Sequence, residues 1–226
     1  MSKNINMVIN EKLTERLTLF ANELNDIQDI KLRQFAIQLL ANAPDYFFTA
    51  PASSSGKYHP YFAREIGGLV KHTRCVVFYA ACNAESFDFD SHTRDLAIIA
   101  ALAHDIKKQG NNNEGEHTVW DHPELAHNFV LEMQKVNPEL ITIDDAMIIA
   151  NAILSHMGKW QHYSQYTKDR KQYPLPKTLF DYAIHSADYM ASRVELSRVE
   201  LTGFAFRTTE GVDISEINEI TTTNNL

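Results

Sequence analysis

The chain has 226 residues, of which 44% are hydrophobic, and a formal net charge of −8 at pH 7. This length and composition fit one sizeable domain with its own hydrophobic core. The negative charge disfavours a surface that coats nucleic acid, although it leaves room for a local basic patch. No apolar segment approaches the roughly 20 residues of a membrane span, and the N-terminus does not resemble a signal peptide.

Apolar residues recur at spacings of three and four along most of the chain, which predicts an all-α fold. Capping-box spacing of Thr142 with Asp145, and of Asp121 with Glu124, predicts two helix starts. The segments "EKLTERLTLFANEL" and "IKLRQFAIQLLANA" are two predicted amphipathic helices, and others are predicted over 60–83, 91–107, 121–136, 144–157 and 177–200. One of them holds both cysteines, Cys75 and Cys82, which are too far apart to bridge each other. Reduced cysteines favour a cytoplasmic protein.

The apolar run at 96–103 is followed at once by His104 and Asp105. An unpaired carboxylate at the end of such a run would cost at least several kcal/mol. The sequence therefore predicts a partner for this carboxylate.

Further polar residues fall where helices should be apolar. His72, His156 and Asp188 align with apolar residues three and four positions away, and His122 lies in the first turn of a predicted helix. Each has an ordinary explanation when taken alone, such as a hydrogen-bonded core histidine, or an ion pair of Asp188 with Arg193. In one domain with the His-Asp pair, they supply the ligand types that suit Zn, Mn, Fe, Co or Ni. We therefore predict a metal centre.

The order His72, His104-Asp105, Asp188 resembles the H…HD…D pattern of the HD superfamily of metal-dependent phosphohydrolases, which are all-helical. Four ordered segments are similar to the HD domain of the bacterial 3′→5′ exoribonuclease branch: "FFTAPASSSGKYHPYFAREIGGLVKHT", "LAHDIKK", "ILSHMGKW" and "PLPKTLFDYAIHSADYMASR". The resemblance implies a single HD-domain helical bundle over 45–200. Short N-terminal helices at 1–44 would pack on this core, and 201–226 would form a C-terminal extension.

The resemblance also implies roles for individual residues. The first metal would be held by His72, His104, Asp105 and Asp188, and the second by His122 and His156, with Asp105 bridging. The ions would be divalent, with Mn, Fe, Mg, Co, Ni and Zn not distinguished. Two such ions activate a water and clamp phosphoryl oxygens, so Asp105 and Lys108 are the predicted catalytic residues.

The chain departs from the family pattern at three places. Lys107 replaces the glycine of the frequent HDIGK sequence, while Lys108 retains the lysine, which could contact phosphate or be solvated at a helix end. Met157 stands where relatives often have a second histidine, so the three-metal variant is not expected. The exoribonucleases carry a nucleic-acid-binding barrel ahead of the HD domain, and this chain has short helices there.

Basic residues suggest a site for the substrate. The segment "YTKDRKQYPLPK" combines basic residues with tyrosines, a mixture that could attract phosphate and stack a base or could be an ordinary solvated loop. Arg64 and Arg193 could contact phosphate or form surface ion pairs. The predicted substrate-binding set is Arg64, Lys159, Lys168, Arg170, Lys171 and Arg193.

The sequence thus predicts a metal-dependent phosphohydrolase acting on a nucleotide or short oligonucleotide. One alternative is a 3′→5′ exonuclease on RNA or single-stranded DNA. Another is a non-catalytic nucleotide-binding sensor or scaffold with a structural metal. Presence of the whole ligand set favours the enzyme. Neither membrane association nor a stable protein partner is expected, and a homo-oligomer remains open.

Overall fold

A computed structural model describes residues 11–53, 59–111, 117–162, 170–198 and 213–223. These residues form helices joined by turns and loops, and no strand occurs among them, so the all-α prediction is confirmed. The helices are α1 (residues 11–18), α2 (Ala21–Asn25), α3 (Ile30–Ala41), α4 (Gly68–Ser86), α5 (Ser91–Ala103), α6 (His122–Val136), α7 (Ile143–Ser155), α8 (Leu179–Ala191) and α9 (Ser215–Thr223). Short 3₁₀ helices span Asp45–Phe48, Tyr61–Ala63, Gly158–His162 and Val194–Arg198. None of the helices described here has the length and apolarity that a membrane span requires.

Side-chain caps fix several helix starts. Thr142 accepts a hydrogen bond from the Asp145 backbone N–H, as its spacing predicts. A full capping box at α8, formed by Thr178 and Asp181, was not predicted. The helix start predicted at Asp121 is confirmed, since Asp121 is the N-cap residue of α6, but its side chain makes no cap hydrogen bond.

Three predicted helices are shorter in the structure. The helix α4 begins at Gly68 rather than at 60, because Gly67 adopts a left-handed backbone with φ +73° immediately before it. The helix α5 ends at Ala103, so the His-Asp pair lies in the turn that follows. The helix α8 ends at Ala191 and is followed by a 3₁₀ turn. The end of α5 leaves the Ala101 carbonyl oxygen next to the ring of His104, a candidate ligand.

The core is built around α4, α5, α7 and α8. The helix α4 packs on α5 and α8, while α7 packs on α5, α6 and α8. The N-terminal helices contribute buried apolar residues, among them Phe20, whose ring stacks on Phe47 at 5.9 Å. A buried ion pair of 2.9 Å between Arg74 and Glu23 ties α4 to α2.

The described part of the C-terminal extension lies against the N-terminal helices. Ile217 of α9 is buried, and Glu216 forms a 3.3 Å ion pair with Arg33 of α3. The amide of Asn25 donates a hydrogen bond to the Asp213 carbonyl. The sequence analysis did not predict α9, whose residues are mostly polar. The division of the chain at 44 and 200 remains a prediction.

Candidate metal centre

Six histidine and aspartate side chains from five helices or their ends converge in the interior. They form two groups, within each of which the possible ligand atoms all lie within 4.8 Å of one another. His72 comes from the interior of α4, whereas the His-Asp pair follows the last residue of α5. The groups are His72, His104 and Asp188, and Asp105, His122 and His156.

In the first group, two imidazoles and a carboxylate oxygen face each other. The Nε2 atom of His72 lies 3.1 Å from Oδ1 of Asp188 and 3.4 Å from Nε2 of His104. Both histidines are fully buried, while the Asp188 side chain is 24% exposed. This carboxylate is therefore the part of the group that substrate could approach from solvent.

In the second group, two imidazoles converge on the other side of Asp105. The Nε2 atoms of His122 and His156 are 3.3 Å apart. Oxygen Oδ1 of Asp105 lies 3.4 Å from Nε2 of His122 and 3.9 Å from Nε2 of His156. A separation of more than about 6 Å would have been incompatible with a shared site for these ligands.

Asp105 links the two groups through its two oxygens. While Oδ1 faces the second group, Oδ2 lies 3.3 Å from Nε2 of His104 and 3.7 Å from Nε2 of His72. A carboxylate that divides its oxygens in this way has the arrangement of a bridging ligand.

Backbone contacts orient three of the four imidazoles. Each carries Nδ1 at 2.7 or 2.8 Å from the carbonyl oxygen three residues earlier, to which an Nδ1–H can donate. The proton then sits on Nδ1, and Nε2 keeps its lone pair. These contacts join His104 to Ala101, His122 to Val119, and His156 to Ile153.

This tautomer makes the residues fit a metal ion. The lone pairs of His122 and His156 face each other at 3.3 Å, where two acceptors repel and cannot hydrogen bond. A cation removes this repulsion, and two nitrogens about 2.1 Å from one ion are about 3.0 to 3.4 Å apart. The observed Nε2 separations of 3.3 and 3.4 Å fall in that range.

The electrostatics keep His122, His156 and Asp105 in metal-binding protonation states, whereas those around His104 favour its protonation until an ion displaces the proton. Burial lowers the pKa of His122 to about 3 and also lowers the pKa of His156. Burial opposes ionisation of Asp105, but the Lys108 ammonium and His104 outweigh it and hold the pKa of this carboxyl well below its usual range. Burial likewise disfavours protonation of His104, but the Asp105 carboxylate outweighs it and raises the pKa. Neutral imidazoles and ionised carboxylates are the forms that bind metal.

Stability of the chelator-treated protein is expected to fall as the pH is lowered from 7 to 4. The unfolded chain protonates His122 below about pH 6.5, whereas the folded chain resists this until about pH 3. Acidification therefore favours unfolding, by about 1.4 kcal/mol per pH unit for each such histidine. His59, with a pKa of about 3, adds to the effect. Thermal unfolding followed by circular dichroism measures it, and a constant Tm across this range would contradict the burial of neutral imidazoles.

The two lysines after the His-Asp pair have different surroundings. The ammonium of Lys108 contacts Oδ2 of Asp105 and is largely shielded from solvent. Lys107 instead places its ammonium 4.5 Å from the centroid of the Phe129 ring of α6. The presence of Lys107, where many relatives have glycine, thus leaves the contact between Lys108 and Asp105 intact.

The remaining predicted substrate-binding residues make contacts outside the cluster. The guanidinium of Arg170 lies 5.2 Å from the Trp120 ring centroid, and the ammonium of Lys171 lies 2.6 Å from a carboxylate oxygen of Glu124. Gln161 holds this segment in place through two hydrogen bonds to the Tyr173 backbone.

The others are spread along the chain. Arg193 donates to the Tyr189 carbonyl at the end of α8, and Arg64 donates to the His59 carbonyl. Lys159 is exposed in the turn after α7, and Lys168 lies outside the described residues. The structure thus brings the predicted metal ligands and Lys108 together, whereas the substrate-binding assignments remain predictions.

Sequence reasoning missed two histidines next to the ligands. The ring of His59 packs edge-to-face on that of His72, with centroids 5.1 Å apart. His185 donates from Nδ1 to the His156 carbonyl at 2.6 Å. His185 precedes Asp188 by three residues and so shares a helix face with it, a signal that the sequence contained. His59 lies in a loop without periodicity and gave none.

Substituting Gly158 with alanine is expected to destabilise the protein and disturb His156. Gly158 has φ +53°, and a Cβ there would lie 2.3 Å from the ring of His185. The left-handed backbone costs roughly 1–2 kcal/mol, and displacement of the ring adds about 1–3 kcal/mol. Gly67→Ala is the matched control, since it has φ +73° but only an ordinary 3.8 Å contact with the Phe48 carbonyl. Equal losses of unfolding free energy in denaturant titrations of the two variants would contradict the role assigned to the His185 contact.

A helical bundle with four buried histidines and two aspartates arranged in this way is typical of metal-binding proteins. Comparison with known proteins identifies the family. The HD domain model matches residues 69–193, more than half of the 226-residue chain. The chain therefore belongs to the HD domain family, whose members are typically metal-dependent phosphohydrolases. No curated protein and no solved structure matches it. The predicted superfamily is confirmed, and the exoribonuclease branch remains a prediction.

Proposed function

We propose that this protein is a phosphohydrolase that uses two divalent metal ions to cleave a phosphate ester of a nucleotide or short oligonucleotide. The observation that carries the proposal is the position of Asp105. Its two oxygens face separate groups of ligands, each of which supplies two imidazole nitrogens within 3.9 Å. A single structural ion would need only one such group.

Each of the six clustered residues has a proposed role in holding the metal ions. His72, His104 and Asp188 would hold one ion, and His122 and His156 the other, with Asp105 shared between them. Ions held there would supply an activated water and would neutralise the charge of the phosphoryl oxygens. The buried imidazoles exclude bulk water from one side of the site, while the partly exposed Asp188 marks the side open to substrate.

Lys108 is the residue proposed to act on the phosphoryl group alongside the metal ligands. Its ammonium reaches the bridging carboxylate in this structure. Because three N–H donors point from one ammonium, the same group can hydrogen bond a phosphoryl oxygen bound next to Asp105. It would thereby stabilise the negative charge that builds up in the transition state.

The substrate is proposed from two pairs of side chains whose aromatic members, Trp120 and Tyr189, are close in sequence to the ligands His122 and Asp188. Arg170 with Trp120, and Arg193 with Tyr189, each pair a guanidinium with an aromatic ring, the combination that binds phosphate and stacks a base. Cleavage from the 3′ end of RNA or single-stranded DNA remains the alternative substrate mode. Free Cys75 and Cys82 suit the cytoplasmic location that we propose with it.

Chromatographic identification of the products formed from a defined panel, with inorganic phosphate as the product of monoester cleavage and nucleoside monophosphates as the products of diester cleavage, tests the proposal. The panel contains nucleoside mono-, di- and triphosphates, cyclic nucleotides and short RNA and DNA strands, each with Mn²⁺ or Mg²⁺. Turnover that depends on metal and is lost in Asp105→Ala would support the hydrolase and identify the substrate class. Stepwise shortening of 5′-labelled strands would instead support the exonuclease. Bound metal without turnover on any member would favour a sensor or scaffold.

A further inference from the structure

The four histidines of the centre differ in how their Nδ1 atoms are supported. Three of them lie at helix ends, where backbone carbonyls are available to accept from Nδ1–H. His72 lies inside α4, where the carbonyls of the preceding turn already accept backbone N–H groups. Its Nδ1 is buried and has no hydrogen-bond partner among the described residues.

This difference matters because His72 can place its proton on either nitrogen. A proton on Nε2 would donate to Oδ1 of Asp188 at 3.1 Å, and Nε2 would then have no lone pair for an ion. Binding of metal requires the proton on Nδ1, where it needs an acceptor. His72 is therefore the ligand whose tautomer most needs support.

The side chain placed to give this support is His59. Its ring packs against that of His72 with centroids 5.1 Å apart and an interplanar angle of 67°. Its own Nδ1 is also buried without a partner among the described residues. Since the two rings contact each other without a direct hydrogen bond, their buried nitrogens can satisfy each other through one water, to which one donates while the other accepts.

We propose that His59 is a positioning residue, which accepts the Nδ1–H of His72 through one water and so keeps the Nε2 lone pair of His72 directed at the metal. This inference rests on the proposed function, because it assigns His59 a role toward an ion held by His72. His59 itself is not proposed to touch the ion or the substrate.

The loop that carries His59 is built to hold it against α4. The Nε atom of Arg64 donates to the His59 carbonyl at 2.7 Å, and its guanidinium covers the Tyr61 ring at 4.6 Å. A Cβ at Gly68 would lie 2.3 Å from the Ala63 carbonyl oxygen, so only glycine lets this loop approach the start of α4 so closely. Arg64, whose predicted contact with phosphate remains a prediction, thus has a contact that orients His59.

Two variants of His59 with similarly branched side chains separate the contribution of hydrogen bonding from that of packing. His59→Asn retains a polar side chain, and His59→Leu removes it at nearly equal volume. Mn²⁺ titration of the full chain is expected to show affinity 10- to 100-fold weaker in His59→Leu and within a few-fold of the wild type in His59→Asn. Long-range ¹H–¹⁵N NMR of the metal-free, chelator-treated protein is expected to find the His72 proton on Nδ1 in the wild type and on Nε2 in His59→Leu.

Equal Mn²⁺ affinity and the same His72 tautomer in both variants would overturn the inference. Thr73→Val is the competing variant, because the Thr73 hydroxyl is another buried polar atom of α4 that lacks a partner in the described part of the chain. A tautomer change in that variant alone would assign the support to Thr73 instead. If wild-type protein bound no Mn²⁺, the proposed function would fail, while the tautomer in chelated protein would still decide the role of His59. Should His59→Leu not fold, His59→Phe keeps the ring shape and removes its nitrogens.

Discussion

Replacing Asp105 with asparagine is expected to remove hydrolysis and to leave at most one bound metal ion per chain. The substitution preserves shape but converts one oxygen into an NH₂ group, which has no lone pair for an ion. Because Oδ1 and Oδ2 face different groups of ligands, either orientation of the amide damages one of them. Turnover should fall by roughly 10³-fold, measured as phosphate release next to metal content by atomic emission.

Asp95→Asn is the matched control for this prediction. Asp95 is as deeply buried as Asp105, at 1% against 2% exposed, but its Oδ2 accepts the backbone N–H groups of Gln28 and Asp29. Its loss should lower the unfolding free energy by about 1–3 kcal/mol with metal content and turnover per folded molecule unchanged. An Asp105→Asn protein that kept both ions and normal turnover would show that Asp105 is a structural residue like Asp95.

The ligands could be predicted because a helix makes polar residues conspicuous. On an amphipathic helix, a histidine or aspartate at a core position needs an explanation, and His72 and Asp188 were found in that way. The His-Asp pair at 104–105 was found because it ends a fully apolar run. In both cases a polar residue occupies a position where the helix pattern calls for an apolar one, and the site is proposed to be functional.

The supporting residues could not be predicted by the same reasoning. His59 lies in a loop whose conformation depends on tertiary contacts, including the close approach of Ala63 to Gly68. The hydrogen bond from His185 joins two helices that are distant in sequence. The apolar pattern predicts the start of α4 too early because it continues through the 3₁₀ turn at 61–63, and only Gly67 marks the break. Packing, rather than periodicity, determines these features.

Replacing His122 with asparagine is expected to halve the metal content from two ions to one. His122 belongs to the group of Asp105 and His156 only, so the group that contains His72 should keep its ion. Turnover should nevertheless fall by at least about 10²-fold, because one ion can no longer act from both sides of the phosphoryl group. Metal-to-protein ratios at saturating Mn²⁺ and phosphate release, measured on one preparation, test both parts.

Comparison with His72→Asn and with the surface variant His127→Asn distinguishes a site for two ions from a site for one ion. His72→Asn should also leave one ion, held by the other group. His127→Asn, on the same helix as His122 but hydrogen-bonded only to neighbouring Asn128 in the described structure, should keep two ions and normal turnover. If His122→Asn and His72→Asn each lost all metal, the two groups would form one site around a single ion, and the role of Asp105 would change from a bridge to an ordinary ligand.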